Sequence, residues 1–412
     1  MMSNRVYNVG YRKTVLFFLY ITPWIDVINS CVHFGGSMGQ ILRGLMVALN
    51  LLLIINVAGK SKTGLTILGI AFYGLLQTLF CMILTTGESL GINIAYFLKI
   101  MLFTTEASVL TIGQRKNLIK KKDLLNFWSY SLVVVPILLI LSNIFHFGTG
   151  GRSGFYISAN AMSAVLTIQV LIGTYFSRYN KVYGAAVLLN LSALILLGTK
   201  SPLLILLLSY VIIIAFYSKH RVKMITLILV CGVMLYYIAT HFFSSQIDAI
   251  LSYQLYHFNN SLLSNNVVTY LFSGRNNLLS DTLEELNKSS LGFLAFIFGA
   301  SPYGLGKITA AAYGINTVRG IELDFIEIVL SYGIIITIVV YKFFVKALIA
   351  KGCDKNENLF FNVAILACLI SGILGGHGIT EGISATYCGI LVATKISALS
   401  TETQMDFNKK GK

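Results

Sequence analysis

The sequence predicts an all-α fold, a polytopic transmembrane bundle of about twelve helices with one long extracytoplasmic loop, forming a single integral membrane domain over residues 1–412. Three observations carry that expectation. The chain is 56% hydrophobic and only 11% charged, with a mean hydropathy of +0.77, too little charge to keep a soluble surface hydrated. Its apolar residues fall into repeated runs long enough for a helix to cross hydrocarbon, not into the period-two alternation of a membrane barrel. Its basic residues gather in alternate connections between those runs, the distribution that orients a chain across a bilayer.

The first run, Val15 to Val32, follows Arg12 and Lys13 without a small-residue cleavage pattern and contains Pro23, Trp24 and Asp26, so it reads as a retained helix rather than a signal peptide. Ile41 to Val57, Leu65 to Thr85, Ile92 to Ile112, Leu124 to Phe145 and Phe155 to Phe176 follow, bounded by charges or by Gly, Ser and Asn clusters. The second half reads Tyr183 to Leu197, Pro202 to Tyr217, Met224 to Phe243, Leu323 to Phe344, Leu359 to Leu374 and Ile383 to Ala398. No internal repeat and no interrupted helix is visible, which weighs against an alternating-access transporter. The expected topology is a multi-pass protein of the cytoplasmic membrane with both termini in the cytoplasm. The inward connections then hold Arg5, Arg12 and Lys13, Lys60 and Lys62, the cations from Arg115 to Lys122, Arg178 and Lys181, those from Lys219 to Lys223, those from Lys342 to Lys355, and the tail from Lys395. Of the 31 Lys and Arg, that leaves Arg43, Lys99, Arg152, Lys200, Arg275, Lys288, Lys307 and Arg319 to be explained otherwise.

A formal net charge of +15 does not make a nucleic-acid surface here, because the cations are scattered between apolar runs rather than clustered on one element. The six cysteines show no paired spacing and the six histidines no metal-ligand pattern, so neither a disulfide framework nor a metal site is expected. Walker, dinucleotide-binding, Gly-x-Ser-x-Gly and His-Glu-x-x-His motifs do not occur; ATPases, hydride enzymes, serine esterases and zinc proteases are set aside, and no cofactor is expected.

One external connection is long, residues 244–322 between the ninth and tenth runs, and a loop of that length is expected to carry short packed helices. Leu278, Leu279, Leu283 and Leu286 recur at helical spacing beside Asp281, Glu284 and Glu285, an amphipathic helix that Ser273 can cap. Leu291 to Phe298 is apolar but too short to span, and is expected to dip into the membrane or pack on the bundle.

Charges at the outward ends of the apolar runs are the functional candidates, because a charge at bilayer depth is costly unless a cavity or a partner receives it. Arg152, in Gly-Gly-Arg-Ser-Gly, is expected to open the sixth helix, where glycines and a helix N-terminus suit phosphate; the plain alternative is a snorkelling interfacial arginine. Lys200 lies in the tight turn from Gly198 to Pro202, and Arg275 beside Gly274 at the start of the loop helix; each reads equally as an interfacial or solvated cation. Arg319 precedes the tenth run, which opens with Glu322, Asp324 and Glu327; Asp324 and Glu327 share a helical face and Glu322 points elsewhere. Their alternative role is a structural ion pair with Arg319 or Arg152. His377, in Leu-Gly-Gly-His-Gly, closes the eleventh run near Glu381, either facing a helix dipole or belonging to a site. Asp26 and Arg43 read as a structural pair between the first two helices, and Lys99 is grouped with them.

In order along the chain, Arg152-Ser153-Gly154 with Asn160, Gly198-Thr199-Lys200-Ser201, Ser273-Gly274-Arg275, Phe298-Gly299, Glu322 and Asp324 with Gly333, and Gly376-His377 resemble the Wzy-type O-antigen and capsular polysaccharide polymerases, relatives of the O-antigen ligases. The resemblance implies a fold like the metal-independent, lipid-dependent membrane glycosyltransferases of the GT-C kind. It also implies transfer of a growing glycan from undecaprenyl diphosphate to the non-reducing end of a lipid-linked repeat unit at the outer face of the membrane. The expected partners are undecaprenyl-diphosphate-linked oligosaccharides and membrane lipid, with a flippase and a chain-length regulator beside them. Within that reaction Arg152, Arg275 and Lys200 suit the diphosphate, Asp324, Glu322 or His377 the acceptor proton, and Glu327, Arg319 and Asn160 a supporting role. Where the ligases carry a histidine in the helix after the long loop, this chain has Glu322 and Asp324, which favours polymerase over ligase. A lipid-linked oligosaccharide flippase is the competing reading from another class, and would place its cations deeper and in repeated halves.

Overall fold

A computed structural model describes residues 2–31, 37–59, 61–84, 89–148, 151–156, 158–217, 272, 274–288, 292–315, 317–318, 320–351 and 354–396. Among these the secondary structure is helical throughout, without strands. Eight helices precede the long loop: α1 (Met2–Cys31), α2 (Ser37–Ala58), α3 (Lys62–Leu84), α4 (Ser89–Arg115), α5 (Lys121–Ile144), α6 (Ala159–Ser177), α7 (Val182–Leu197) and α8 (Lys200–Tyr217). The loop contributes α9 (Arg275–Lys288), α10 (Leu294–Phe298) and α11 (Pro302–Ala312), and α12 (Asp324–Ile349), α13 (Lys355–Leu374) and α14 (Gly382–Ile396) follow. Seven helices, α1, α2, α4, α5, α6, α12 and α13, are long and apolar enough to cross a membrane, and α7, α8 and α14 are shorter and apolar. Each predicted run coincides with a helix except Met224 to Phe243, which lies outside the described residues.

Local chemistry sets the ends. The Ser158 hydroxyl accepts the Ala161 N–H at 3.2 Å to start α6, Asp354 accepts the Asn356 N–H at 3.0 Å to start α13, and Gly198 ends α7 in the left-handed conformation. The sixth helix therefore begins at Ala159, not at Phe155, and Arg152 does not open it. Arg152 sits in a separate 3-10 turn, Gly151–Ser153, after which Gly154 turns the chain at φ 60° with its Cα packed against Ser142. Arg152 therefore does not stand at the N-terminus of α6, where a phosphate was expected.

Helices α4, α6 and α14 form the middle of the bundle. Residues 101–110 of α4 and all of α14 are buried on every side apart from their own neighbours, and the stacked rings of Phe103 and Phe344, 4.9 Å apart, join α4 to α12. The outer helices reverse the soluble pattern. Phe72, Leu188, Ile195 and Phe216 are 65%, 66%, 66% and 72% exposed, an apolar ring suited to lipid.

A spanning helix is interrupted, contrary to the sequence expectation. α12 breaks at Gly333, with φ 84° and ψ 163°. A Cβ there would stand 2.1 Å from the Ile297 carbonyl oxygen, because the end of α10 enters the gap. The Ala300 N–H donates to the Leu330 carbonyl at 2.7 Å, the Ser301 N–H to that of Ser331 at 3.0 Å, and the Gln77 amide to those of Ser331 at 2.7 Å and Phe298 at 3.2 Å. The carbonyls freed by the break thus regain donors, which hydrocarbon cannot supply. The short apolar run before Gly299 is packed on the bundle in this way. Leu286, Ala295, Ala300, Leu305, Ile321 and Leu323 then form a second, smaller core that fixes α9, α10 and α11 over the start of α12. The amphipathic reading of α9 holds, with Leu278 and Leu286 buried and Glu284 and Lys288 outward; its expected cap, Ser273, lies outside the described residues.

Gly333→Ala should lower stability by about 1–3 kcal/mol or more, from the backbone strain alone. The readout is the thermal midpoint of the purified full chain in detergent. Gly69→Ala, where an added Cβ meets nothing within 4 Å, serves as the control and should leave the midpoint nearly unchanged. Equal midpoints for the two variants would contradict the inserted segment.

Candidate active site

Three segments meet at one end of the bundle: the start of α9, residues 320–327 leading into α12, and the turn 375–381 between α13 and α14. Arg275, the first residue of α9, donates through Nη2 and Nε to Glu322 Oε2 at 2.8 and 3.2 Å, and reaches the Leu374 carbonyl through Nη1 at 3.5 Å. His377 Nε2 lies 3.9 Å from the same carboxylate oxygen, and its Nδ1 lies 3.8 Å from Glu381 Oε1. Glu381 in turn pairs with Lys99 of α4 at 2.9 Å. The result is a row of groups in the order Arg275, Glu322, His377, Glu381, Lys99, with acids alternating with bases, drawn from α9, the approach to α12, the 375–381 turn and α4.

Asp324 builds this row without belonging to it. Only 2% exposed, it accepts the His377 N–H at 2.7 Å and the Thr380 hydroxyl at 2.6 Å through Oδ1, and the Ile379 N–H at 2.7 Å through Oδ2. Gly372 and Gly378 make room for it, since a Cβ on either would approach Oδ2 to 2.9 or 2.8 Å. Glu327 does the same for the segment before α12, its Oε2 accepting the Glu322 N–H at 2.9 Å. Both reacting candidates are held in the left-handed conformation, Glu322 at φ 60° and His377 at φ 65°, which is uncommon and costly outside glycine. Between them Gly376, at φ 64°, lets the backbones touch, for a Cβ there would stand 2.2 Å from the Glu322 carbonyl oxygen.

Burial pushes the Glu381 carboxyl up, but Lys99, His377 and Arg43 outweigh it and hold the group below the usual carboxylate range. Arg43 belongs to this neighbourhood because its guanidinium lies against Gly382 while pairing with Asp26 at 2.5 Å, the link expected between the first two helices. The Lys99 ammonium also lies 4.7 Å from the centre of the Tyr96 ring.

The other expected residues are placed less directly. Arg152 is exposed, its Nη1 lying where a Cβ on Gly198 would come within 2.7 Å. Gly198 opens the turn to Lys200, the first residue of α8, whose side chain is outside the described set. The next residue, Ser201, places its hydroxyl 3.3 Å from where a Cβ on Gly375 would be, at the foot of the His377 turn. Arg152 thus lies beside the turn at Gly198, and Ser201 beside Gly375, two residues before His377. Asn160 is the second residue of α6, with its carbonyl accepting from Ser163 at 2.7 Å. Arg319, and with it the ion pair foreseen for it, lies outside the described residues; Glu322 pairs with Arg275.

Beside the Arg275–Glu322 pair is an apolar cavity of about 340 Å³ lined by Phe272, Asn276, Leu279, Leu323, Phe325 and Ile373. Phe325 and Ile373 are 42% and 49% exposed, so its outer wall opens at the surface through apolar side chains. Among the described residues no group of three or more His, Cys, Asp or Glu is arranged to hold a metal ion. Compared with known proteins, the chain matches no family model, no curated protein and no solved structure. The residues that sequence reasoning passed over are Lys99 and Glu381 as a pair; a lysine inside an apolar helix needs a partner, and that requirement was the available signal.

Asp324→Asn replaces one accepting oxygen by an amide that must face a donor, and should cost about 1–3 kcal/mol. Faster hydrogen exchange confined to residues 375–381 would locate the loss, and unchanged exchange there would refute the clamp. Because the Glu381 carboxyl is depressed in the folded protein, its stabilisation is full above the ordinary carboxylate pKa and is lost on acidification from about pH 5 downward. Thermal midpoints against pH should show that component in the wild type and lose it in Glu381→Gln.

Proposed function

We propose that the chain is a metal-independent membrane glycosyltransferase of the Wzy polymerase kind. In this reading it crosses the membrane about twelve times, with both termini in the cytoplasm and the site at the outer face. It moves a growing glycan from undecaprenyl diphosphate to the non-reducing end of a lipid-linked repeat unit. The observation that carries the proposal is the meeting of Arg275, Glu322 and His377 beside an apolar cavity that opens at the surface through apolar side chains. Such a site offers a cation for diphosphate, proton acceptors for a sugar hydroxyl and an apolar wall for a polyprenyl chain, all three of which the reaction requires.

The chemistry balances without a metal. The acceptor hydroxyl oxygen forms a bond to the anomeric carbon while the bond from that carbon to the phosphate oxygen breaks, inverting the centre. The departing electron pair stays on the polyprenyl diphosphate, whose charge Arg275 receives with Arg152 and Lys200 in support. The hydroxyl proton passes to Glu322 or His377. Asp324, with both oxygens engaged by the 377–380 backbone and Thr380, acts as a positioning residue. Arg275 holds Glu322 through two donors, so a diphosphate that draws Arg275 away releases Glu322 Oε2 for the acceptor, coupling donor binding to the readiness of the base.

The test is incubation of the purified full chain with a lipid-linked repeat unit, without nucleotide or metal, followed by resolution of product lengths. A ladder is expected. A single transfer to a different acceptor would indicate a ligase, and transport without new glycosidic bonds would indicate a flippase; either outcome overturns the proposal. Arg275→Ala and Glu322→Gln should each lower the rate by about a hundredfold or more while the protein remains monodisperse. Full activity of Arg275→Ala would remove that residue from the assignment.

A further inference from the structure

The far end of the bundle carries a second constellation that the proposed reaction does not use. Arg115 lies sixteen residues beyond Lys99 on α4, roughly 24 Å away at the rise of an α-helix, and Lys342 and Lys346 lie correspondingly far along α12 from Asp324. Lys342 and Lys346 are both exposed on α12. Neither they nor Arg115 has an ion pair among the described residues. The acids at that end are otherwise engaged, Asp123 with Arg12 at 2.8 Å, Glu357 with Lys121, and Asp354 with the Asn356 N–H at 3.0 Å. Lys342 and Lys346 are one helical turn apart, a like-charge spacing that costs free energy unless an anion answers it.

The surroundings indicate which anion. Ile335, Ile338, Val345 and Ile349 of α12 are 62%, 61%, 52% and 73% exposed, and their three- and four-residue spacing puts them on the face that also carries Lys342 and Lys346. An exposed apolar stripe that ends on a pair of lysines, with a further isoleucine beyond them, has the layout of a phospholipid, with chains along the stripe and phosphate at the cations. A soluble polyanion would gain nothing from the isoleucines. We infer that Lys342 and Lys346 form a binding site for the phosphate of an anionic phospholipid, with its acyl chains along the outer face of α12. The inference rests on the membrane location of the helices and not on the glycosyl-transfer reading.

The test uses the full chain in detergent micelles containing equal amounts of phosphatidylglycerol and phosphatidylcholine, with retained lipid counted by native mass spectrometry. The wild type should retain phosphatidylglycerol in preference. The Lys342→Ala/Lys346→Ala double variant should lose that preference by about fivefold per cation removed, and the Lys342→Arg/Lys346→Arg variant should keep it. Lys346→Gln alone, an exposed single change, gives the same direction of effect if the double variant does not fold. Excess inorganic phosphate should not displace the lipid; displacement would identify a soluble-anion site and overturn the inference. Equal retention of the two lipids by the wild type, or unchanged preference in the alanine and glutamine variants, would overturn it as well.

Discussion

The carboxylate of Asp324 is the tie on which the candidate site depends. It begins α12, yet all three of its hydrogen bonds go to the turn that links α13 to α14. A buried carboxylate is tolerable only when donors surround it, and here the donors are two backbone N–H groups and a hydroxyl of one short turn. The turn cannot leave without stranding the charge, and the charge cannot be removed without freeing the turn. His377 is consequently presented to Glu322 by backbone geometry, while Glu327 fixes Glu322 from the other side through its N–H. Two residues in the left-handed conformation, which a relaxed chain would avoid, are sustained by this arrangement.

On that frame the charges order themselves by alternation. Arg275, Glu322, His377, Glu381 and Lys99 come from α9, the approach to α12, the 375–381 turn and α4, so no single element can carry the row. The lysine, the arginine and the carboxylates answer one another's desolvation, which is how several ionisable groups coexist at the edge of an apolar bundle. An incoming anion can enter such a row by exchange, taking one cation from its carboxylate instead of meeting a bare charge. Arg275 at the open end, next to the apolar cavity, is where that exchange is least obstructed.

The interruption of α12 serves the same end of the molecule. Gly333 allows the α10 segment into the helix, and Ala300, Ser301 and Gln77 supply donors to the freed carbonyls. The loop helices are thereby bound to the spanning bundle by main-chain hydrogen bonds as well as by apolar packing, and Arg275 inherits a fixed position relative to Glu322. A loop helix resting only on its leucines would have no such registration.

Composition, the spacing of apolar runs and the placement of cations determined that the chain is a helical membrane protein, and they located nearly every described spanning helix, because hydrocarbon imposes length and polarity on each segment separately. The amphipathic loop helix was legible for the same reason: its leucine spacing is local. Arg275, Glu322 and His377 stood out as charges at helix ends. Tertiary structure alone decided their pairing, the clamping role of Asp324, the joining of Lys99 to Glu381 and the break at Gly333. Partners from 47 to 282 residues apart in sequence leave no periodicity to read, and a glycine in an apolar run looks the same whether the helix continues or opens around another segment. Arg152 shows the limit from the other direction. Its glycines marked a tight turn correctly, but only the packing of Gly154 against Ser142 and the capping by Ser158 determined that the turn precedes α6 instead of beginning it.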